Sequence, residues 1–184
     1  MAHRSPRLRH SRDHRHPCGA GERGLPGVGG AGDRRVTPRL PFFVYGTLRP
    51  GRHNHAAHLL GHVATEEPAE MPGAALYAGP GHPYAVENPE AGPVRGELVT
   101  ATPSAHAPLL AALDLLEEYV PGDPRNLYER VVREVTRTAD GATALAWVYV
   151  AAPRVAARLR ASGTVIEGGD WSKAPGLRRL EKHP

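Results

Sequence analysis

The stretch FFVYGTLRPG, residues 42–51, decides how the chain is read. Leu40 to Tyr45 form an apolar run too short for a helix, and the run ends on Gly46, as a buried strand stopped by a turn does. A strand that only fills a core has no need of Gly-Thr-Leu directly after a tyrosine. Glycine brings no side chain and reaches conformations closed to other residues. The backbone N–H groups around Gly46, Thr47 and Leu48 can therefore converge on one concavity, and such a nest holds a carboxylate or a phosphate. A tight turn with no ligand is the other meaning of the same letters, and YGTL alone does not choose between them.

Outward from this stretch, short apolar runs alternate with turn signals. Residues 73–77 (GAALY), 83–86 (PYAV) and 94–100 (VRGELVT) read as strands. Residues 127–138 (LYERVVREVTRT) and 144–150 (ALAWVYV) read as two more, joined across Asp140-Gly141 into a hairpin. Residues 54–60 and 155–159 read as short helices. Thr102-Pro103-Ser104 opens a longer helix that runs to about Tyr119. Residues 167–171 (EGGDW) read as a loop. Many short strands with few helices predict an α+β fold, a barrel-like sheet with a flanking helix.

On a helical wheel started at Leu109, the side chains of Leu113, Leu116 and Val120 fall on one stripe. Glu117 borders that stripe at about 80°, whereas Glu118 points to solvent at about 180°. A carboxylate held against apolar side chains has its pKa raised, because desolvation disfavours the charged form, and a glutamate tuned in this way serves as a general acid or base near neutral pH. A boundary glutamate that reaches water or an arginine is the plainer reading of the same position. His58 and His62 lie one helical turn apart, as zinc ligands do, but no cysteine or carboxylate completes a motif with them, His53 or His55. They read as surface histidines, and no metal site is expected. Tyr128, Arg130 and Tyr149 fall on the two strands of the hairpin, where Arg130 reads as an anion ligand or, more simply, as half of an ion pair. Gly169-Asp170-Trp171 reads as a lid or as a terminal plug.

The net charge of +4 hides a split. Residues 1–40 carry nine arginines and three acids, +6; the remainder carries −2. Residues 1–38 lack any apolar period and are expected to be a disordered basic leader or the product of a mis-called start, with Val36 as an alternative initiation point. A basic arm binds nucleic acid or anionic lipid by charge alone, but the negative balance of the rest argues against a nucleic-acid partner. The single cysteine, Cys18, excludes an internal disulfide and a thiolate metal cluster. No apolar run approaches the length of a membrane span and no apolar stretch follows the basic start as in a signal peptide, so a cytoplasmic protein without a membrane partner is expected. Nothing in the sequence sets an oligomeric state.

Taken in order, FVYGTLRPG with Asn54-His55 soon after, PYAV, VRGELV, LDLLE (residues 113–117), YERVVREV (128–135), AWVYV (146–150) and GGDW (168–171) resemble the γ-glutamylcyclotransferase-like superfamily, in its AIG2-like branch. The resemblance covers about residues 40–172, so residues 39–175 are expected to form the domain and residues 176–184 a polar tail. It implies a small mixed β-barrel with flanking helices. It implies that the loop of Tyr45, Gly46, Thr47 and Leu48 holds the α-carboxylate of a small γ-glutamyl substrate through backbone N–H groups, and that Glu117 is the catalytic acid/base. Tyr128 and Tyr149 would donate hydrogen bonds to the substrate. The implied reaction closes the γ-glutamyl group to 5-oxoproline and frees an amine or amino acid, with no cofactor. A binding module that keeps the cavity but not the chemistry is the alternative. The sequence departs from the family pattern at Glu118, where a glycine is common. Residues 120–126 (VPGDPRN) are expected to form a loop that shapes specificity.

Overall fold

A computed structural model of the chain describes residues 39–174. The expected basic leader, Cys18 and the polar tail lie outside the described residues. The elements in chain order are β1 (Phe42–Val44), a π-type turn (His55–Leu59), β2 (Val63–Met71), β3 (Ala74–Ala78), β4 (Pro83–Glu87), β5 (Val94–Ala101), α1 (His106–Leu116), β6 (Tyr128–Arg137), β7 (Thr143–Ala151), α2 (Pro153–Ser162) and two 3-10 turns, Glu167–Gly169 and Trp171–Lys173. No described helix is long and apolar enough to cross a membrane.

Five strands close into a barrel in the order β1-β5-β2-β6-β7, and β3 pairs with β4 in a separate two-stranded sheet. All barrel pairings are antiparallel except the closing one, a parallel bridge between Phe42 and Trp147; the Trp147 N–H seals it by donating to the Pro41 carbonyl at 2.8 Å. The mixed barrel with helices is the α+β architecture expected.

Strand alternation sorts the side chains into two cores. Phe43 and Tyr45 join Met71, Leu98, Val148 and Trp171 in a cluster fed by all five barrel strands. Phe42 and Val44 face the other way, onto Leu109 and Leu113 of α1, Leu159 of α2 and Tyr149. Both faces of β1 are buried, and hence its sequence is apolar without interruption. The close approach of β1 and β5 depends on Gly96, where a Cβ would stand 2.2 Å from the Val44 carbonyl oxygen.

Three expectations need correcting. Strand β2, VATEEPAEM, was not foreseen: only its last part, Ala69 and Met71, is buried, and its glutamates take lateral partners, Glu66 with His55, Glu67 with Arg137 and Glu70 with Arg95. Helix α1 stops at Leu116 rather than near Tyr119. Beyond it Glu118 takes a left-handed φ of 50°, and the backbone of Val120 is held at both ends by the buried Asn126, whose amide accepts from its N–H at 3.1 Å and donates to its carbonyl at 2.8 Å. Val120 is exposed, not part of the apolar stripe. Finally, α2 is twice as long as its five-residue expectation; Pro153 at its first turn and the spacing of Val155, Ala156 and Leu159 explain its start and buried face.

Candidate active site

The chain leaves β1 into the loop of residues 45–50 beside the start of β4, the end of α1 and the outer face of the β6–β7 hairpin. A pocket opens there. Its wall includes Tyr45, Gly46, Thr47, Leu48, Glu117, Tyr128 and Tyr149, so the seven residues that the resemblance assigned to the site line one cavity. His82, Pro83 and Trp147 are also in its wall, with residues of β1 and Leu113.

The loop is held from outside the pocket. Arg49 N–H closes the turn on the Gly46 carbonyl at 3.1 Å, and Asn54 donates its amide to Thr47 Oγ1 at 2.9 Å. Arg49 grips Glu97 of β5 with two parallel hydrogen bonds of 2.8 Å and reaches Asp170 with a third of 2.7 Å. Asp170 also accepts from the Ser172 N–H and hydroxyl. Burial raises the Asp170 pKa, but the bonds from Ser172 and Arg49 outweigh it and leave the carboxyl below its usual range. Trp171 is buried in the barrel cluster. The GGDW segment therefore plugs the barrel and anchors Arg49. Against this support, the N–H groups of Gly46, Thr47 and Leu48 donate to no protein acceptor among the described residues. The reason for glycine at 46 differs from the one expected. Its φ is not in the left-handed region; space decides, since a Cβ would lie 3.0 Å from Pro83 Cδ in the pocket wall.

Glu117 is the C-cap of α1, its N–H still bonded to the Leu113 carbonyl. Its carboxyl is half-buried and makes no hydrogen bond or ion pair among the described residues. Burial pushes its pKa from 4.5 up to about 7, so near neutral pH both protonation states are populated. The carboxyl lies within electrostatic reach of Tyr45, Tyr84, Tyr128 and Tyr149, whose pKa values burial raises in the first place. Glu118, next in the chain, is exposed.

The phenols of the three tyrosines have partners within the protein. Each phenol carries one hydrogen. Tyr45 gives its hydrogen to the Tyr149 carbonyl at 2.6 Å, Tyr128 to the Pro83 carbonyl at 2.8 Å, and Tyr149 to Asp114 Oδ1 at 2.7 Å. As placed, all three brace the pocket wall and none has a free hydrogen to offer a substrate. Arg130 is likewise engaged: it pairs with Asp114 at 3.0 Å and lies over the rings of Tyr119 and Trp147.

His82 was missed in the sequence. It hydrogen-bonds the Tyr84 hydroxyl at 2.9 Å, Tyr84 stacks on Tyr128, and burial lowers the pKa of the imidazole. Its position directly before PYAV was the available signal. Among the described residues no group of histidines, cysteines and acids is arranged to hold a metal; His55 is spent on Glu66 at 2.6 Å. Residues 120–126 do form a loop, but none of them lines this pocket.

A family model described as γ-glutamyl cyclotransferase, AIG2-like, matches residues 42–173. The chain is 36% identical over 110 residues to the γ-L-glutamyl-butirosin B γ-glutamyl cyclotransferase of Niallia circulans, a match that covers 59% of this chain and 64% of that one. It thus spans a little under two thirds of that relative. Among solved structures it is similar to YkqA from Bacillus subtilis, with a TM-score of 0.52 and 25% identity over 78% of this chain and 43% of that one. An AIG2-like protein from Mus musculus gives a TM-score of 0.49 at 25% identity, over 62% of this chain and 80% of that one.

Proposed function

The chain belongs to the AIG2-like γ-glutamyl cyclotransferase family, and from that premise we propose that it cyclises the γ-glutamyl group of a small substrate to 5-oxoproline and releases the free amine. The observation that carries the reading is the pairing, in one pocket, of a half-buried carboxyl with a pKa of about 7 and a loop whose N–H groups lack protein acceptors.

The chemistry needs little more. A γ-glutamyl amide holds its own nucleophile, the α-amine, and its own electrophile, the γ-carbonyl carbon. The loop N–H groups of residues 46–48 bind the α-carboxylate. Glu117, as carboxylate, accepts a proton from the α-ammonium. The amine nitrogen then bonds to the γ-carbon, the amide C–N bond breaks, and Glu117 returns that proton to the leaving nitrogen, while the second proton shed by the new ring nitrogen ends on the freed amine as its ammonium. No water is consumed. Fixing both ends of the glutamyl chain presets the ring closure, and orientation of this kind supplies several kcal/mol of a barrier. Half-burial suits Glu117 to the task, because a carboxylate of ordinary pKa is a weak base and a poor proton donor at neutral pH.

The test is release of 5-oxoproline, followed by mass spectrometry, from a panel of γ-glutamyl amino acids, γ-glutamyl amines, γ-glutamyl-ε-lysine, glutathione and γ-L-glutamyl-butirosin B. Release by the wild-type chain and not by Glu117→Gln is the expected result. No release from any member, with thermal stabilisation by the same compounds, would instead mark a carboxylate-binding module.

A further inference from the structure

A second, more open cavity of about 330 Å³ adjoins the first, and the two share Thr47, His82, Glu117 and Tyr128 in their walls. Glu117 therefore stands between them. The first cavity is walled largely by apolar and aromatic residues of β1, α1, β6 and β7. The second adds the polar His53, Asn54 and Glu118 to the apolar Pro80, Leu116 and Leu127, and among the described residues no lysine or arginine lines it. We propose that this second cavity receives the leaving group, and that it selects a leaving amine bearing a further positive charge over a neutral or carboxylate-bearing one of the same size.

The inference rests on the cyclotransferase reading, because that reading puts the scissile bond at Glu117, with the glutamyl half in the first cavity. The amine half then extends toward the cavity that shares the same carboxyl. Glu118 lines that space, and so does Glu117, which adds a negative charge only in its ionised form. The imidazole of His82 does not offset them, since burial favours its neutral form. Arg158 is within electrostatic reach of Tyr84 but is not in the wall. The backbone adds an independent sign. Glu118 is the one non-glycine residue with positive φ among those described, a conformation that costs an L-residue free energy. The strained residue puts a carboxylate at the cavity edge, and strain kept at one position next to a site is where a functional demand is to be sought.

Three substrates of matched length make the test: γ-glutamyl amides of 1,5-diaminopentane, pentylamine and 5-aminopentanoate, whose free ends are cationic, neutral and anionic. The expected kcat/KM order is cation, neutral, anion, with cation and anion separated on the order of tenfold for charges a few ångströms apart in a half-solvated cleft. Added salt shrinks the separation. Glu118→Gln narrows it, and Glu118→Lys, checked for folding by circular dichroism, reverses it. Equal kcat/KM values, or preference for the anion, would overturn the subsite and leave the cyclisation standing. Absence of 5-oxoproline from all three would instead remove the reading on which the subsite depends.

Discussion

Tyr149 on β7 donates its phenol hydrogen to Asp114 on α1 across 2.7 Å, one helical turn before Glu117. The same carboxylate holds Arg130 of β6, so a single aspartate ties the last turn of α1 to both strands of the hairpin. In this arrangement the tyrosine braces the last turn of the helix, next to the glutamate. Tyr149→Phe removes one hydrogen bond and leaves Asp114 its arginine. The expected cost is about 1–1.5 kcal/mol of stability, read by urea unfolding, with a modest fall in kcat and an unchanged acid limb in the pH profile. A shifted acid limb would show that Tyr149 tunes Glu117 directly.

Glu117→Gln keeps the shape of the side chain and removes the base. The expected loss in kcat/KM is at least about 100-fold. The wild type should lose activity below about pH 7 as the carboxylate is protonated; an acid limb near pH 4.5 would contradict the burial assigned here. Stability moves the opposite way. The folded-state pKa lies above the unfolded value of 4.5, so the fold favours the neutral acid. That contribution is complete below about pH 4.5 and is lost as pH rises through about 7, by on the order of 2–3 kcal/mol. The glutamine variant stays neutral throughout. It should match the wild type near pH 4 and exceed it in melting temperature at pH 8.

The sequence exposes the parts of this fold whose two faces or one face are plainly apolar. Residues 42–45, buried on both sides, and residues 144–150, packed against them, carry unbroken or alternating apolar patterns, and both emerge as strands. Strand β2 does not, because it buries only Ala69 and Met71 and satisfies its glutamates sideways with residues far off in the chain, such as Arg137. The wheel placed Glu117 at the edge of the apolar face, and the structure places it in the pocket wall. The same wheel carried the stripe on to Val120, since periodicity cannot register the left-handed turn at Glu118 that ends it. Side-chain partners were also beyond it: that Tyr45, Tyr128 and Tyr149 give their hydrogens to the protein depends on carbonyls and a carboxylate brought in by the fold.

Arg49 connects the pocket loop to β5 through Glu97 and to the terminal plug through Asp170. Its side chain is 16% exposed and its partners are less so. Arg49→Ala leaves Glu97 without its cation in a largely dry place and Asp170 with only the more distant Lys173 at 3.7 Å, for which about 3 kcal/mol is the expected cost. Arg49→Lys keeps the charge but not the paired contact with Glu97, and should fall between. Because the loop N–H groups lie three residues or fewer upstream, KM should rise in the lysine variant more than kcat falls. Wild-type KM with lowered stability would confine Arg49 to the fold.

Glu118 offers the last test, because one substitution there separates strain from use. Its φ of 50° suits glycine and costs an L-residue roughly 1 kcal/mol. Glycine in turn gives the unfolded chain more freedom, which returns part of the gain. Glu118→Gly is therefore expected to raise stability by a few tenths to about 1 kcal/mol, measured by urea unfolding at pH 8. If the carboxylate serves the neighbouring cavity, the same variant should lose discrimination in favour of cationic leaving amines while gaining stability, the exchange expected where a strained residue is kept for what it does. A variant that is less stable than the wild type would mean that the left-handed turn is held by contacts of the glutamate side chain, and the argument from strain would fall.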